Sequence, residues 1–550
     1  MSEKLKIGLM LDSTNVPHWV HLMVEKINQS NYAKIELVII NGSKISKNTI
    51  LSKIKNNRNY FLYKIYTKFE NKIYTPELDS FKTYDLKNEL INVKKFTVIP
   101  KQTKYSDWIK AEDIKKILDN DLDVIVRLGF RILRGEILKS AKCGVWSFHH
   151  GDNDINRGGP AGFWEVFQNH PVTGSILQMI GEELDDGKVL AKSYSTTDPI
   201  LVKRNCNNYY NKTLSFLPRK LKELHELGKD RFLEKVEKEN ENIKFYSNRL
   251  YVKPTNSEFF RMSCSNFGKF LKRNLENTYS FEQWGLLFDI KKEISKSMWR
   301  YKKILPPKDR FWADPHIVTI DENYFIFIEE YLYNQSKGHI AAIKMDKEGN
   351  YDYLGKVLEK DYHLSYPFVF EFENIFYMIP ETASNNNIEV YKCTDFPKKW
   401  EYHGEIMNNI NAVDTTIFNY NNKWWMFTGV KENIGGSNSD ELFLFYADSP
   451  LSNKWKPHPK NPIISDVRQA RPAGKIFSSK GHIYRPSQNS SKFYGYGISI
   501  NKINKITTTE YEETVITSIL PNWDNKIKRV HTFAYDNGLS IIDAKIKRMK

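Results

Sequence analysis

The first third of the chain contains residues whose types could carry out acyl transfer. His149 follows an apolar stretch at residues 144–148 and is able to act as a general base near neutral pH. Asp185 lies in an Asp-Gly turn, from which its carboxylate would orient the imidazole and raise its basicity. Arg157 and Gly158 begin a Gly/Pro-rich loop that would supply a cation and backbone N–H groups to an anionic ligand. These residues form the first candidate site.

The second half of the chain contains another group of candidates. Three are acids and three are basic or hydrogen-bonding residues: Asp314, Glu381, Asp414, His363, Arg471 and His531. Acids that converge on one place differ in pKa, which is what acid/base chemistry at a glycosidic bond needs. The other three residues would bind hydroxyl groups or a phosphate. Hydrolysis, sugar or sugar-phosphate binding, and a purely structural role in turns all stay open.

The elements that position the first site are of the α/β type. Apolar strand candidates alternate with amphipathic helical stretches; the strands are at residues 7–11, 35–40, 96–99, 124–128 and 144–148. Such alternation predicts a mostly parallel, Rossmann-type sheet that binds ligands at the carboxyl ends of its strands, where residues 147–151 lie. We assign residues 1–202 to this domain.

The elements that position the second site repeat along the chain. Five units, each about 50 residues long, open with a polar or Asp-Pro-like element and continue into a strand hairpin. This period predicts a five-bladed β-propeller over residues 281–550, in which the last unit pairs with strands near residues 281–288 to close the ring. Residues 203–280 are charged and helix-favouring, and we predict a helical connector there.

The composition limits the classes of function. The chain has 82 Lys and Arg against 66 Asp and Glu, a net charge of +16, but no RNA- or DNA-binding signature, so no nucleic-acid partner is predicted. The 4 cysteines are widely separated and His150, Asp152 and Asp154 lack ligand spacing, so no metal is predicted. Without a long apolar run or a signal-peptide pattern, we expect a cytoplasmic protein, with peripheral contact at the inner face of a membrane left open.

Residues 122–200 resemble the core of the formyltransferase family, which includes methionyl-tRNA formyltransferase and the sugar N-formyltransferases. The motifs occur in the family's order: Asp-Val-Ile-Val-Arg-Leu-Gly-Phe at 123–130, Trp-Ser-Phe-His at 146–149, Arg-Gly-Gly-Pro at 157–160, Thr-Gly-Ser-Ile-Leu at 173–177 and Leu-Asp-Asp-Gly at 184–187. The resemblance implies transfer of a formyl group from 10-formyltetrahydrofolate to an amine.

The same resemblance assigns roles to three residues. The family's catalytic His and Asp correspond to His149 and Asp185, and Ser147 stands where the family has an Asn that stabilises the oxyanion. Such a donor contributes about 3–4 kcal/mol, and a serine hydroxyl is shorter than an asparagine amide. Three outcomes stay open: formyl transfer with Ser147 or another donor, a different acyl- or sugar-directed reaction, or binding without catalysis.

Residues 281–545 resemble the β-propeller region of the plant glucosamine inositolphosphorylceramide transferases and, more distantly, five-bladed glycoside hydrolases of the furanosidase type. The motifs are Phe-Trp-Ala-Asp-Pro at 311–315, His-Leu-Ser-Tyr-Pro at 363–367, Tyr-Met-Ile-Pro-Glu at 377–381 and Arg-Pro at 471–472. This resemblance implies a carbohydrate ligand.

Together these features predict a sugar-modifying enzyme of cell-surface glycan biosynthesis. The first hypothesis is N-formyl transfer from 10-formyltetrahydrofolate to an amino sugar. The alternatives are a glycosyltransferase or glycoside-hydrolase-like enzyme that reuses these folds, and a non-catalytic glycan-binding protein. The expected partners are an amino sugar, a nucleotide sugar or a glycolipid; the sequence makes no prediction of the oligomeric state.

Overall fold

The computed structural model of the protein describes residues 3–43, 58–182, 187–242 and 245–549; within the helix at residues 256–279, side chains are described for 256–266 and 268. The chain divides into two compact units. The first holds residues 1–193, 197–268 and 433–436, and the second holds residues 194–196, 269–432 and 437–550. No helix among the described residues is long and apolar enough to cross a membrane.

The first unit is built around a mixed β-sheet with several short strand pairs beside it. Its strands are β1 (Leu5–Leu11), β2 (Asn15–Pro17), β3 (Ala33–Asn41), β4 (Thr83–Asp85), β5 (Lys94–Val98), β6 (Lys101–Gln102), β7 (Ser106–Trp108), β8 (Val124–Arg127), β9 (Ile132–Arg134), β10 (Val145–His149), β11 (Arg157–Gly158), β12 (Val172–Met179), β13 (Lys188–Thr196) and β14 (Leu250–Tyr251). The five strands predicted from the sequence correspond to β1, β3, β5, β8 and β10.

The main sheet has seven strands in the order β13-β12-β10-β8-β1-β3-β5. Strands β5, β3, β1, β8 and β10 run parallel, and β12 is antiparallel to β10. The apolar run at the end of β1 is buried on both faces, as is typical of a central parallel strand. The strand order reverses between β1 and β8, and open α/β sheets bind ligands outside the carboxyl ends of the strands at such a point.

Helices pack on both faces of this sheet. They are α1 (His18–Gln29), α2 (Phe61–Ile73), α3 (Ala111–Leu118), α4 (Phe163–Phe167), α5 (Val202–Thr213), α6 (Phe216–Leu227), α7 (Lys229–Glu239) and α8 (Asn256–Tyr279), with 3-10 turns at Arg58–Tyr60 and Gly135–Lys139. The region predicted as a separate connector, residues 203–280, instead belongs to the first unit as far as residue 268. Leu217 and Leu221 of α6 and Phe232 of α7 lie in the same core as Ile7 of β1, because an apolar stripe on a helix is stabilised by burial against the sheet.

The second unit contains only strands and two 3-10 turns in its described part after α8. The strands are β15 (Ser280–Ile290), β16 (Lys302–Ile304), β17 (Arg310–Ile320), β18 (Asn323–Leu332), β19 (Lys337–Met345), β20 (Tyr351–Leu358), β21 (Ser365–Phe372), β22 (Ile375–Glu381), β23 (Asn387–Asp395), β24 (Lys399–Asn408), β25 (Ala412–Tyr420), β26 (Lys423–Val430), β27 (Leu442–Ala447), β28 (Lys456–Pro457), β29 (Phe477–Ser479), β30 (His482–Asn489), β31 (Gly497–Ile506), β32 (Tyr511–Ile519), β33 (Ile527–Arg529), β34 (Phe533–Asp536) and β35 (Leu539–Met549). The turns are Met298–Arg300 and Ala383–Asn385.

These strands form five successive antiparallel sheets in the described part of the unit. Four are meanders, β17–β20, β21–β24, β25–β28 and β29–β32, and the fifth joins β34, β35, β15 and β16, with β33 beside β35. β15 pairs with β35 along its whole length, from Ser280 opposite Met549 to Ile290 opposite Leu539. The predicted pairing between the last unit and the strand near residues 281–288 is therefore confirmed. Five sheets closed in this way have the strand order of a five-bladed β-propeller.

Candidate functional site

Three sheets of the second unit begin with the same irregularity. In β17, β21 and β25 the pairing register shifts beside Asp314, Tyr366 and Asp414. These residues have φ angles of 50°, 44° and 51°. A left-handed backbone costs a non-glycine residue roughly 1–2 kcal/mol, so the surrounding contacts must hold it. Bulges re-aim side chains, and here Asp314 reaches Thr532 before β34 while Asp414 reaches Arg471 before β29.

The second strands of the first two of these sheets add further acids. Glu329 of β18 and Glu381 of β22 pair with the residues just before the first two bulges. Asp543 of β35 accepts the backbone N–H of Asp314 at 3.0 Å. Each of these carboxyls acts electrostatically on Glu329. We call the five residues the acid cluster: Asp314, Glu329, Glu381, Asp414 and Asp543.

Three members of the acid cluster have raised pKa values. Burial, and then the charges of Asp314 and Glu381, raise the pKa of Glu329 well above its usual range. Burial and then Asp414 do the same to the pKa of Glu381. Burial raises the pKa of Asp314 to about 6, although His531 pulls it down. The acid cluster therefore holds carboxyl groups that keep their protons at a pH where an exposed carboxyl has lost its own.

Arg471 is neutralised within the site. Its Nε lies 2.5 Å from Oδ2 of Asp414 and its Nη2 lies 3.1 Å from Oδ1, a two-point ion pair. The same Nη2 is 3.4 Å from Glu381, and Gln488 donates to Asp414 Oδ2 at 3.0 Å. The guanidinium also lies 5.2 Å from the centre of the Tyr494 ring. Arg471 is thus engaged by Asp414 and Glu381 and is not a free anion-binding group.

His531 forms the second ion pair. Its Nδ1 lies 2.5 Å from Oδ2 of Asp543, and its ring stacks on Trp284 with 4.2 Å between ring centres. Burial alone would lower the pKa of His531, but Asp543 and then Asp314 outweigh it and raise that pKa. Asp314, His531 and Asp543 bring three potential metal-ligand atoms within 4.8 Å of one another. These atoms are engaged in hydrogen bonds, since both oxygens of Asp543 also accept backbone N–H groups.

His363 borders the acid cluster. Its Nδ1 accepts the backbone N–H of Gly338 at 2.9 Å, so Nε2 carries the proton of the neutral ring. That Nε2 faces Oε1 of Glu329 at 3.4 Å, and burial lowers the pKa of His363. The six candidates predicted in this half of the chain are therefore all in or beside one site. They do not form an obvious phosphate site, because carboxyls surround both cations.

Sequence reasoning missed several residues of this site. The missed residues are Glu329, Tyr366, Gln488, Thr532 and Asp543. One signal was available: Glu329 follows Asp314 by 15 positions, as Glu381 follows Tyr366. Aligning the repeats on their bulges would have paired these residues. His316 was also missed: burial lowers its pKa to about 3, and neither ring nitrogen has a hydrogen-bond partner among the described residues.

The first unit brings together only part of its predicted site. Ser147 and His149 lie on one face of β10, at the carboxyl end of the parallel sheet. The imidazole Nε2 of His149 is 3.0 Å from the carbonyl oxygen of Asn156, so this nitrogen donates there and Nδ1 would have to act as the base. The Ser147 hydroxyl is directed to the carbonyl of Phe148 at 3.4 Å. Asp185 lies outside the described residues.

The loop predicted to cradle an anion has its donors engaged elsewhere. The backbone N–H of Arg157 donates to the Tyr246 hydroxyl at 3.0 Å, and the guanidinium stacks 4.7 Å from the centre of that ring. Gly158 has a φ of 104°, and a Cβ there would sit 2.2 Å from the carbonyl oxygen of Tyr251. The close approach of β14 thus explains the glycine, and this corrects the expectation of an open anion site at Arg157 and Gly158.

Comparison with known proteins links the second unit to one family. Residues 304–535 match the family model described as glucosamine inositolphosphorylceramide transferase 1, N-terminal. The transferase of that name from Oryza sativa subsp. japonica is 32% identical over 209 residues, 38% of this chain and 28% of the relative. The Arabidopsis thaliana protein is 32% identical over 209 residues, 38% of this chain and 27% of the relative. The chain thus spans about a quarter of the length of the curated relatives it matches.

Similar solved structures are glycoside hydrolases. A family 117 glycoside hydrolase from Zobellia galactanivorans has a TM-score of 0.33 and 10% identity, covering 48% of this chain and 90% of that one. A β-xylosidase/α-arabinofuranosidase from a compost microbial metagenome has a TM-score of 0.33 and 14% identity, covering 43% of this chain and 91% of that one. Because these TM-scores are low, the fold of the second unit is assigned from its strand order and not from these structures. Residues 304–535, which contain all of the acid cluster except Asp543, are a region like the N-terminal part of glucosamine inositolphosphorylceramide transferase 1.

Proposed function

We propose that the protein is a glycan-modifying enzyme and that the acid cluster binds the sugar. One observation carries the proposal: five carboxyls surround Arg471 and His531, and four of the five lie inside the region that matches the transferase family. The site is not sealed, because the side chains of Glu381 and Arg471 are 16% and 13% exposed and that of His363 is 39% exposed. A ligand would therefore meet Glu381, Arg471 and His363 first.

The charge of the site favours one class of sugar. Arg471 and His531 pair most closely with Asp414 and Asp543, and Glu381 and Asp314 share these two cations at 3.4 Å and 3.9 Å. A phosphate or carboxylate ligand would oppose the ionisation of the three carboxyls with raised pKa values and be disfavoured, whereas an ammonium group would favour their ionised form. A sugar that offers an ammonium group and several hydroxyl donors would be bound by carboxyl acceptors. We therefore assign an amino sugar, within a glycan or glycolipid, as the ligand.

The same carboxyls suit acid/base chemistry at a glycosidic bond. Such chemistry needs one carboxyl that holds a proton at the working pH and another that is ionised. Glu381, whose pKa is raised, lies beside Asp414, which accepts hydrogen bonds from Arg471 and Gln488. In this proposal Glu381 donates a proton at the glycosidic bond. Asp314, whose pKa is about 6, gains or loses its proton near that pH.

Calorimetry with defined sugars tests this proposal. We expect chitosan oligosaccharides, which carry free amines, to bind more tightly than their N-acetylated counterparts, and glucosamine 6-phosphate to bind more weakly than glucosamine. Glu381→Gln should weaken amine binding, whereas the exposed Asp352→Asn on the outer strand β20 is the matched control and should not. Equal affinity for amine and N-acetyl forms, or binding unchanged in Glu381→Gln, would exclude the acid cluster as the amino-sugar site.

A second candidate function is N-formyl transfer in the first unit. It is favoured by the placement of Ser147 and His149 on one face of β10, at the carboxyl end of the sheet. The expected donor is 10-formyltetrahydrofolate, but the Ser147 hydroxyl is buried and bonded to its own strand, so it does not fit the role of oxyanion donor. Titration with 10-formyltetrahydrofolate tests the candidate: binding that is lost in His149→Ala would support it, and the absence of binding would remove it.

A further inference from the structure

Helix α2 exposes a continuous apolar stripe. Its residues recur every four positions along one side of the helix: Phe61 at 59% exposed, Ile65 at 48%, Phe69 at 59% and Ile73 at 51%. Residues four apart lie above one another on a helix surface, so these side chains form one strip rather than isolated exposures. A helix of this length is roughly 20 Å long. Exposed single apolar residues need no explanation, but a contiguous patch does.

The helix is held on the first unit by its other side. Tyr63 packs edge-on against Phe163, with 5.3 Å between ring centres. The Tyr66 hydroxyl donates to Glu70 at 2.8 Å, and Glu70, which is buried, accepts the backbone N–H of Lys203 at 2.9 Å. The inward side therefore carries tyrosines and a glutamate, while the outward side carries phenylalanine and isoleucine. This is the reverse of an ordinary amphipathic surface helix, in which the most apolar side faces the core.

The start of the helix is also fixed by hydrogen bonds. At its start, the backbone N–H of Leu62 donates to Oδ1 of Asn256 at 3.0 Å, and Nδ2 of Asn256 donates to the carbonyl of Arg58 at 2.7 Å. Because these bonds fix the rotation of α2, the stripe cannot turn inward without breaking them. Phe260 of α8, in the helix that begins at Asn256, is a further exposed phenylalanine at 63%.

The charges beside the stripe have one sign. Lys64, Lys68 and Lys72 are also spaced four apart and flank the stripe, and none forms an ion pair with a residue that the structure describes. The helix has a single acid, Glu70, and it is buried on the inward side. The outward surface is thus apolar and basic with no acidic residue. Such a surface complements an anionic lipid headgroup layer above an apolar interior.

We propose that α2 is an interfacial helix that lies in the plane of an anionic membrane, with the stripe inserted and the three lysines at the headgroups. This inference does not depend on the proposed sugar site. It gives a physical basis for the peripheral membrane contact that the sequence left open. It assigns membrane contact to the first unit.

Vesicle co-sedimentation of the full chain tests the proposal. We expect binding to vesicles that contain about 30 mol % phosphatidylglycerol and much weaker binding to phosphatidylcholine alone. The double variant Ile65→Asp/Phe69→Asp should lower binding at least about tenfold, because it places charge in the inserted stripe. Replacing Lys64, Lys68 and Lys72 by Gln should remove most of the preference for acidic vesicles, roughly fivefold for each lysine.

Ile516→Asp is the matched control. Ile516 is an equally exposed isoleucine, at 55%, on the outer strand β32 of the second unit. This variant should bind acidic vesicles like the parent, and all variants should keep the parent's circular dichroism and melting temperature. The proposal is overturned if the parent does not bind acidic vesicles or if the stripe variant binds as the parent does. It is also overturned if the stripe variant changes only the oligomeric state, which would make α2 a contact between copies of the chain.

Discussion

The imidazole of His531 and the carboxylate of Asp543 form a buried ion pair, with Nδ1 2.5 Å from Oδ2. Arg471 and Asp414 form another in the same site. Asp314 and Glu381 lie farther from these cations, 3.9 Å from His531 and 3.4 Å from Arg471, and with Glu329 they are the members of the acid cluster whose pKa values are raised. Burial and the charges of neighbouring carboxyls raise the pKa values of these three acids, because both effects disfavour the charged form.

Breaking one of these pairs should cost more than breaking an exposed pair. Arg471→Met leaves Asp414 buried beside Glu381 without its counter-ion, and we expect a loss of about 3–5 kcal/mol in the free energy of unfolding. The double variant Arg471→Met/Asp414→Asn should recover much of that loss, because it removes the unpaired charge. Urea unfolding followed by tryptophan fluorescence measures both.

Arg468→Met is the control for this comparison. Arg468 pairs with Asp466, but its side chain is 46% exposed, so its removal should cost less than about 1 kcal/mol. If the double variant were as unstable as Arg471→Met, the cost would come from lost packing of the arginine rather than from a stranded charge.

The stability of the second unit should fall as the pH rises through the pKa of Asp314. That pKa is raised by burial from 3.8 to about 6, so the folded state binds the proton more tightly than the unfolded state. The stabilising contribution is therefore full below pH 3.8 and lost by the time the pH has passed about 6. Asp314→Asn can still accept the Thr532 hydrogen bond but cannot titrate. The melting temperature of the parent should thus decline relative to this variant between these two pH values, and parallel curves would contradict the prediction.

Two adjacent glutamates on β18 should respond to the same substitution by very different amounts. Side chains alternate along a strand, so Glu329 joins the acid cluster while Glu330 points to the other side. There Glu330 accepts Trp312 Nε1 at 2.8 Å and faces His339 Nε2 at 2.9 Å. Burial alone would raise the pKa of Glu330, but hydrogen bonds from His339 and then Trp312 outweigh it and lower that pKa to about 2.

Glu330→Gln should therefore destabilise the protein by about 2–4 kcal/mol at neutral pH, since it replaces an ion-paired acceptor by a neutral amide. Its effect should shrink in acid, because a lowered pKa contributes stability above the usual 4.5 that is lost as the pH falls towards about 2. Glu329→Gln exchanges one neutral group for another and should change stability by less than about 1 kcal/mol. Equal losses in the two variants would mean that Glu329 is ionised in the folded protein.

The sequence predicts the elements of this fold better than it predicts the contacts between them. Alternating apolar runs located β1, β3, β5, β8 and β10, because a strand buried on both faces must be apolar throughout. The repeat located the starts of the inner strands, since bulges with a left-handed residue need particular local sequences. The membership of Glu329 and Asp543 in the acid cluster could not be predicted from the repeat in the same way. Each comes from a second strand, and most of its neighbours in the site belong to other sheets.

The helices at residues 203–268 show a different limit. Their charged composition suggested a solvated connector, yet Leu217, Leu221 and Leu224 recur at helical spacing and are buried in the core of the first unit. A narrow apolar stripe is enough to attach a helix whose other sides are charged. Helix α2 departs from this rule, because its apolar stripe does not face the core. Its apolar stripe faces outward, and only the structure reveals which side the tyrosines occupy.

Gly474 should be required for the inner ends of the fourth and fifth sheets to meet. Its φ is 124°, and a Cβ there would sit 2.0 Å from the carbonyl oxygen of Phe533. Its backbone N–H donates to the Tyr366 hydroxyl at 2.8 Å, next to the acid cluster. Gly474→Ala should therefore cost at least about 3 kcal/mol of stability and weaken sugar binding, because the backbone must move.

The control is Gly355→Ala, where φ is 89° but nothing lies within 4 Å of the added methyl group. That variant should lose only about 1 kcal/mol of stability. Both variants share the backbone strain of a positive φ, and only Gly474→Ala adds a steric clash, so thermal unfolding of the two separates these effects. Equal losses would show that the approach of Phe533 contributes nothing.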